Sequence, residues 1–298
     1  MTRVLVTGGA GFIGHHLVRA LLARGDQVTV LDNLHRGSFE REGLAGAALV
    51  PGDVRNPADC EGAAAGCETV IHLAAQSNVM GSESAPDYTF ETNVTGTWNV
   101  ARAAAAAGVR RFVFASSREV YGEPRCVPVA EDAPMRPKNV YGASKVAGEA
   151  LLAGGAAGAA SIVTLRLANV IGPGDSGRVV PNWLDAVRRG DPMRVYGGAQ
   201  ELDFLRVETC VAAFVAAVDC DAPDGPVNVG SGRGTPLLVL AERLRQLYGD
   251  SSRIEMLPAR SAEVVRFVAD VTRMREILGI EPPSDPLATL PGPGDAPW

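Results

Sequence analysis

The sequence predicts a doubly wound parallel α/β sheet with a smaller C-terminal lobe. Three observations predict it. Short β-branched runs alternate with longer Ala/Leu-rich segments through the first half of the chain. Such a strand–helix–strand rhythm needs parallel strands joined by right-handed crossovers. A glycine-rich turn, Gly8-Gly9-Ala10-Gly11-Phe12-Ile13-Gly14, sits between the first strand-like run and the first helix-like run. After Asn169 the texture changes. Glycine and proline then punctuate the chain at Gly172-Pro173-Gly174, at Gly197-Gly198 and from Pro223 to Pro226.

The elements follow in order. Strands are expected at Arg3–Thr7, Gln27–Asp32, Ala48–Pro51, Thr69–Leu73 and Arg111–Ala115, each rich in β-branched or aromatic residues. Helices are expected between them, at Phe12–Arg24, Pro57–Gly66 and Tyr88–Ala107. A further helix runs from about Tyr141 to Leu152, a Gly/Ala-rich loop covers Gly154–Ala160, and a strand follows at Ser161–Leu167. Residues 1–168 read as the dinucleotide-binding domain. Residues 169–298 read as the smaller substrate lobe, interleaved with the first. The tail Glu281–Trp298 carries six prolines and is expected on the surface.

Composition excludes several classes. Of 298 residues, 46% are hydrophobic and 21% charged, which rules out disorder as the main state. Net charge is −6 with no basic block, a poor match to nucleic acid or anionic membrane surfaces. No apolar run reaches the ~18 residues of a membrane span. Met1 leads almost at once into a strand, which leaves no room for a signal peptide. The five cysteines lack metal-ligand spacing and suit a reduced, cytoplasmic protein, so no metal is expected. Lys138 and Lys145 are the only lysines among 28 basic residues. A lysine kept against that arginine bias marks a place where a compact, tunable ammonium is needed.

The glycine turn has a physical use at each position. Gly8, Gly11 and Gly14 allow the tight turn, the approach of a pyrophosphate to the backbone, and close helix–strand packing. The phosphates then meet the unpaired N–H groups and the positive end of the helix dipole. Asp32 ends the second strand, where a carboxylate accepts from ribose hydroxyls and repels a 2′-phosphate. NAD is therefore favoured over NADP, with Arg36 nearby as the contrary sign. Asp53-Val54 follows the third strand, at the ligand-binding edge of such sheets, although Asp53 also suits a helix entry before Pro57.

Tyr141 and Lys145 lie one helical turn apart and share a face. A phenol with a pKa of about 10 is a poor base at neutral pH, and a nearby ammonium together with a positive nicotinamide ring lowers it. Ser117, just past a buried strand, can orient a substrate oxygen toward Tyr141.

The segments TGGAGFIG, HLAAQSNV, ETNVTGTWNV, SSREVYG and YGASK, together with Asp32, resemble the extended short-chain dehydrogenase/reductase superfamily, in its nucleotide-sugar epimerase/dehydratase branch. The resemblance covers the whole chain and implies a Rossmann fold. It implies Ser117, Tyr141 and Lys145 as the catalytic set, with Lys145 also touching the cofactor ribose. Cofactor contacts carry over to Phe12, Ile13, Asp32, Asn33, Asp53, Val54, Leu73, Ala74, Ala75 and Asn93. Substrate diphosphate contacts carry over to Asn169 and Arg260. The family's Arg-Asp-Phe stretch reads Leu202-Asp203-Phe204 here, so one phosphate-binding arginine is missing. Arg206 is the candidate substitute, but on an extended strand it lies about 13 Å from Leu202.

The reaction branches at the residues after Ser117. Dehydratases of the family carry Asp-Glu there, and this chain has Arg118-Glu119. Arginine cannot act as a general acid near neutral pH, which argues against 4,6-dehydration. Glu119 leaves decarboxylation open, or serves as a structural acceptor. The expectation is an NAD-dependent nucleotide-sugar epimerase, acting at C4, on a nucleotide-sugar substrate. The alternatives are a decarboxylase or dehydratase of the same branch, or a non-catalytic NAD-binding regulatory protein. The resemblance also implies a homodimer built on a four-helix bundle that includes the Tyr141 helix. Residues around Val79–Ser84 and Val179–Trp183 are expected to shape the sugar pocket.

Overall fold

A computed structural model describes residues 1–221, 223–249, 253–295 and 298. β1 (Arg3–Thr7) runs through the glycine turn into α1 (Phe12–Ala23). β2 (Gln27–Asp32), β3 (Ala48–Pro51), α2 (Pro57–Ala64) and β4 (Thr69–His72) follow. Next come α3 (Val79–Ser84), α4 (Pro86–Phe90), a π-helical turn over Glu91–Thr95, and α5 (Gly96–Ala106). β5 (Arg111–Ser117), α6 (Val140–Ala153) and β6 (Ser161–Leu167) complete this half.

The second half holds β7 (Asn169–Ile171), α7 (Val179–Arg189), β8 (Met193–Tyr196), β9 (Glu201–Arg206) and α8 (Val207–Asp219). β10 (Val227–Val229), β11 (Gly234–Pro236), α9 (Leu237–Tyr248), β12 (Ile254–Leu257), β13 (Arg266–Phe267) and α10 (Thr272–Leu278) end the chain.

Seven parallel strands form the main sheet in the order β3-β2-β1-β4-β5-β6-β10. The order reverses between β1 and β4, the switch point where ligands bind in open α/β sheets. Alternation along β1 sorts the core into two layers. Val4 and Val6 join Leu17, Val18 and Leu21 of α1 on one face, while Leu5 joins α2 and α5 on the other. A third cluster, built on Trp183, Leu184, Phe204, Leu240 and Leu244, packs the second half of the chain. β10, from the second half of the chain, pairs with β6 at the edge of the main sheet.

Three elements differ from expectation. The single helix expected at Tyr88–Ala107 begins at Pro86 and contains a π turn, which apolar periodicity does not register. The strand expected to stop at Ala115 continues to Ser117, so both serines belong to it. The proline-rich tail is not wholly superficial, because Leu287 and Leu290 are buried in the third cluster. Residues 296 and 297 of that tail lie outside the described residues.

Candidate active site

One deep cleft of about 880 Å³ opens at the carboxyl ends of the strands, between the main sheet and the second half of the chain. Gly8, Gly11, Phe12, Ile13, Gly14, Asp32, Asn33, Val54, Leu73, Ala74 and Ala75 all line it. So do Ser117, Glu119, Tyr141, Lys145, Asn169 and Arg260. Tertiary packing therefore brings most of the sequence-derived set to one wall system.

The glycines have steric reasons to be there. Gly8 has φ +72, and a Cβ on it would sit 2.7 Å from the Ala74 nitrogen. A Cβ on Gly14 would meet the Gly8 carbonyl oxygen and lie 2.6 Å from Gly9 Cα. These are backbone atoms of one tight turn, which cannot move aside cheaply. Gly11 caps α1 without any side chain across the helix end, which leaves the first-turn N–H groups facing incoming phosphates. We expect Gly14→Ala to purify without dinucleotide and to lower Tm by at least about 5 °C. A normal Tm with full cofactor content would remove this account of the turn.

Asp32 accepts from Ala10 N (3.0 Å) and Leu34 N (2.8 Å), which holds its carboxylate at the cleft wall. Burial raises its pKa, while the two backbone donors oppose that rise. Each oxygen keeps a lone pair for a ribose hydroxyl. This cradle, glycine turn and acid together, fits NAD.

Asn139 decides where α6 begins. Its Oδ1 accepts from Gly142 N (2.7 Å), while its Nδ2 donates to Glu119 Oε2 (2.7 Å) and Ala262 O (3.0 Å). That cap places Tyr141 in the first turn of the helix, beside the end of β5. The Ser117 hydroxyl lies close enough to the Tyr141 phenol to favour its charged form, and it accepts from Glu119 N (3.2 Å). Lys145 donates to Ala115 O (2.9 Å), and its Nζ lies 5.0 Å over the Phe114 ring and 5.8 Å from the Tyr141 ring centroid.

The surroundings of Tyr141 favour its protonated form. Burial pushes the Tyr141 phenol up to about 12, against Arg178, the Ser117 hydrogen bond and Arg118, which pull it down. Burial lowers Lys145 to about 8. The chain's own groups thus leave Tyr141 protonated at neutral pH, because desolvation outweighs the cations around it. Arg178, which lines the cleft and pairs with Asp175 (2.7 Å), is the leading charge that stabilises the phenolate. Sequence reasoning missed it, since nothing in the local pattern distinguishes it from other arginines.

Three predicted residues stand elsewhere. Asn93 is buried behind the wall, where its amide accepts from Gln76 N (2.8 Å) and donates to Gln76 O (3.1 Å) and Ser144 Oγ (2.9 Å). It staples the loop after β4 to α6 instead of facing the cleft. Asp53 also lies off the wall. Burial pushes its carboxyl up, but Arg55 and Asn33 hold it down at about 2. Arg206 sits at the far end of β9 and pairs with Glu208 (3.0 Å), while Leu202 faces the cleft. The strand places the two residues too far apart for Arg206 to replace a cation at Leu202. Arg206→Ala should leave substrate KM within about twofold, as for a partly exposed ion pair. A rise of threefold or more would return Arg206 to the binding set.

The chain is 37% identical to a UDP-glucose 4-epimerase of Mycolicibacterium smegmatis, over 94% of this chain and 93% of that one. It is 34% identical to UDP-glucuronic acid decarboxylase 1 of Arabidopsis thaliana, over 94% of this chain and 66% of that one. The fold superposes on the crystal structure of UDP-glucose 4-epimerase with UDP-glucose from Thermotoga maritima. The TM-score is 0.90 at 31% identity, covering 95% of this chain and 94% of that one. Residues 4–230 match the family model itself, and the chain belongs to the NAD dependent epimerase/dehydratase family.

Proposed function

We propose that this protein is an NAD-dependent nucleotide-sugar epimerase acting at C4. The observation that carries this reading is the convergence of Ser117, Tyr141 and Lys145 on the cleft that also holds the glycine turn and Asp32. Gly8, Gly11, Phe12, Ile13 and Gly14 hold the dinucleotide phosphates, and Asp32 holds a ribose. Bound there, NAD supplies an acceptor and then a donor of hydride, so isomerisation needs no outside redox partner. Tyr141 Oη takes the proton from the sugar hydroxyl and returns it after the ring has turned. Ser117 Oγ holds the substrate oxygen in line with Tyr141. Lys145, anchored on Ala115 O, keeps a cation beneath the phenol and reaches the cofactor ribose. Asn169 and Arg260 bind the substrate diphosphate.

The test is incubation of the pure protein with UDP-hexoses, followed by mass and isomer analysis. A new isomer of unchanged mass is expected. Loss of carbon dioxide would replace the epimerase reading with a decarboxylase, and loss of water with a dehydratase. Asp32 sets a second test. NAD should bind about tenfold or more tightly than NADP in calorimetry, since a 2′-phosphate would face a carboxylate. The reverse order would overturn that role of Asp32.

The chain also reads as a cytoplasmic homodimer. All five cysteines are free thiols, which suits a reducing compartment. No helix among the described residues is long and apolar enough to cross a membrane. Phe90 of α4 and Trp98 of α5 are 59% and 45% exposed, an apolar surface beside α6 that suits a second copy. A monomeric mass in sedimentation would overturn the dimer.

A further inference from the structure

We propose that Arg118 selects a nucleotide sugar whose hexose carries a carboxylate, and that its guanidinium binds that carboxylate directly. The inference deepens the nucleotide-sugar reading above and rests on it.

Arg118 immediately follows Ser117 and forms part of the cleft wall. The residue is 9% exposed. Its Nη2 lies 2.8 Å from Glu119 Oε1, while its Nη1 is buried with no hydrogen-bond partner among the described residues. Other buried atoms without a partner on this wall are Thr92 Oγ1, Asp175 Oδ2 and Gln200 Oε1. Arg118 alone among them is cationic. Glu119 matches the charge, but one buried N–H of the guanidinium is left without an acceptor, a cost that an acceptor on a ligand would remove.

The surroundings say what kind of acceptor. The Arg118 guanidinium carbon stands 5.8 Å from the Phe267 ring centroid. Phe267 pairs in register with Leu202, which lines the cleft. Glu119 is already committed on both oxygens, to Arg118 and to Asn139. Glu263 pairs with Arg260 (3.0 Å), and Asp175 pairs through Oδ1 with Arg178 (2.7 Å). The cleft wall carries eight basic side chains against six acidic ones, in a chain whose net charge is −6. A planar carboxylate matches the planar guanidinium and is the stronger partner for it than a hydroxyl. The position beside Ser117 and Tyr141 puts that carboxylate on the sugar, near the reacting carbon, and not on the nucleotide.

The experiment compares binding of UDP-glucuronate and UDP-glucose to the NAD-loaded protein by calorimetry, with product mass followed separately. Wild type is expected to bind UDP-glucuronate at least about tenfold more tightly. Arg118→Met should reduce that ratio by roughly 10- to 100-fold, the range for a charge-assisted hydrogen bond. Arg118→Lys, which keeps the charge but not the fork, should give a ratio between the two. It also serves where the Met variant fails to retain NAD, and a wild-type ratio in it would then overturn the proposal. Equal affinity for both sugars in wild type, or a ratio that survives Arg118→Met, overturns it too. If UDP-glucose is isomerised with no preference for the uronate, the role of Arg118 fails and the epimerase reading stands. If uronate binding depends on Arg118 but no isomer forms, the epimerase reading fails and the assignment of Arg118 stands.

Discussion

Tyr141→Phe should lower kcat by about 10²- to 10⁴-fold, the range for loss of a positioned general base. The substitution removes one oxygen. The ring still fills its site, and α6 keeps its Asn139 cap, because neither depends on the hydroxyl. NAD content and Tm should therefore stay near wild type. The pH profile carries further information. Burial holds the phenol near 12 in the protein alone, so the active form at neutral pH depends on added positive charge in the cleft. The rate should fall as pH drops, since the base must be deprotonated to accept the sugar proton. A Phe variant that turns over within tenfold of wild type would remove Tyr141 as the base.

Lys145→Arg should cost about 10²-fold or more in kcat, whereas Lys138→Arg should stay within about twofold. Lys145 is 3% exposed and fits its Nζ between Ala115 O and the Phe114 face. An arginine brings extra volume and a planar head with five donors into that space, which has one backbone acceptor to offer. Lys138 reaches Glu263 O (2.8 Å) and Glu123 (3.8 Å) from the surface, where a guanidinium can be accommodated. Burial has also lowered Lys145 toward about 8. Below that pH the folded chain carries a buried charge at a cost. Between the folded value and the ordinary lysine value of 10.5 the unfolded chain binds the extra proton, so this cost fades as pH rises. A buried lysine at this position therefore costs stability at neutral pH. Equal effects of the two substitutions would show that Lys145 needs only its charge.

Much of this was legible residue by residue. The first three strands and the strand at Ser161–Leu167 match their expected limits, because period-two burial and β-branching operate within a few residues. The glycine turn and Asp32 were legible for the same reason: backbone geometry and phosphate access are local properties. The π turn at Glu91–Thr95 was not, since one extra residue in a helix leaves the apolar pattern almost intact. Asn93 shows the consequence. A motif position matched, yet packing turned its amide toward Gln76 and Ser144.

The amino-acid order by itself determined the parallel sheet, the dinucleotide turn and the pairing of Tyr141 with Lys145 on one helical face, all products of short-range sterics and periodicity. Only the tertiary structure decided the electrostatic state of that pair, the withdrawal of Asp53, Asn93 and Arg206 from the cleft, and the arrival of Arg118 and Arg178 at it. The reason is that desolvation and Coulomb forces depend on which groups meet through space, and residues brought together from β5, α6 and the segment before α7 share no sequence neighbourhood.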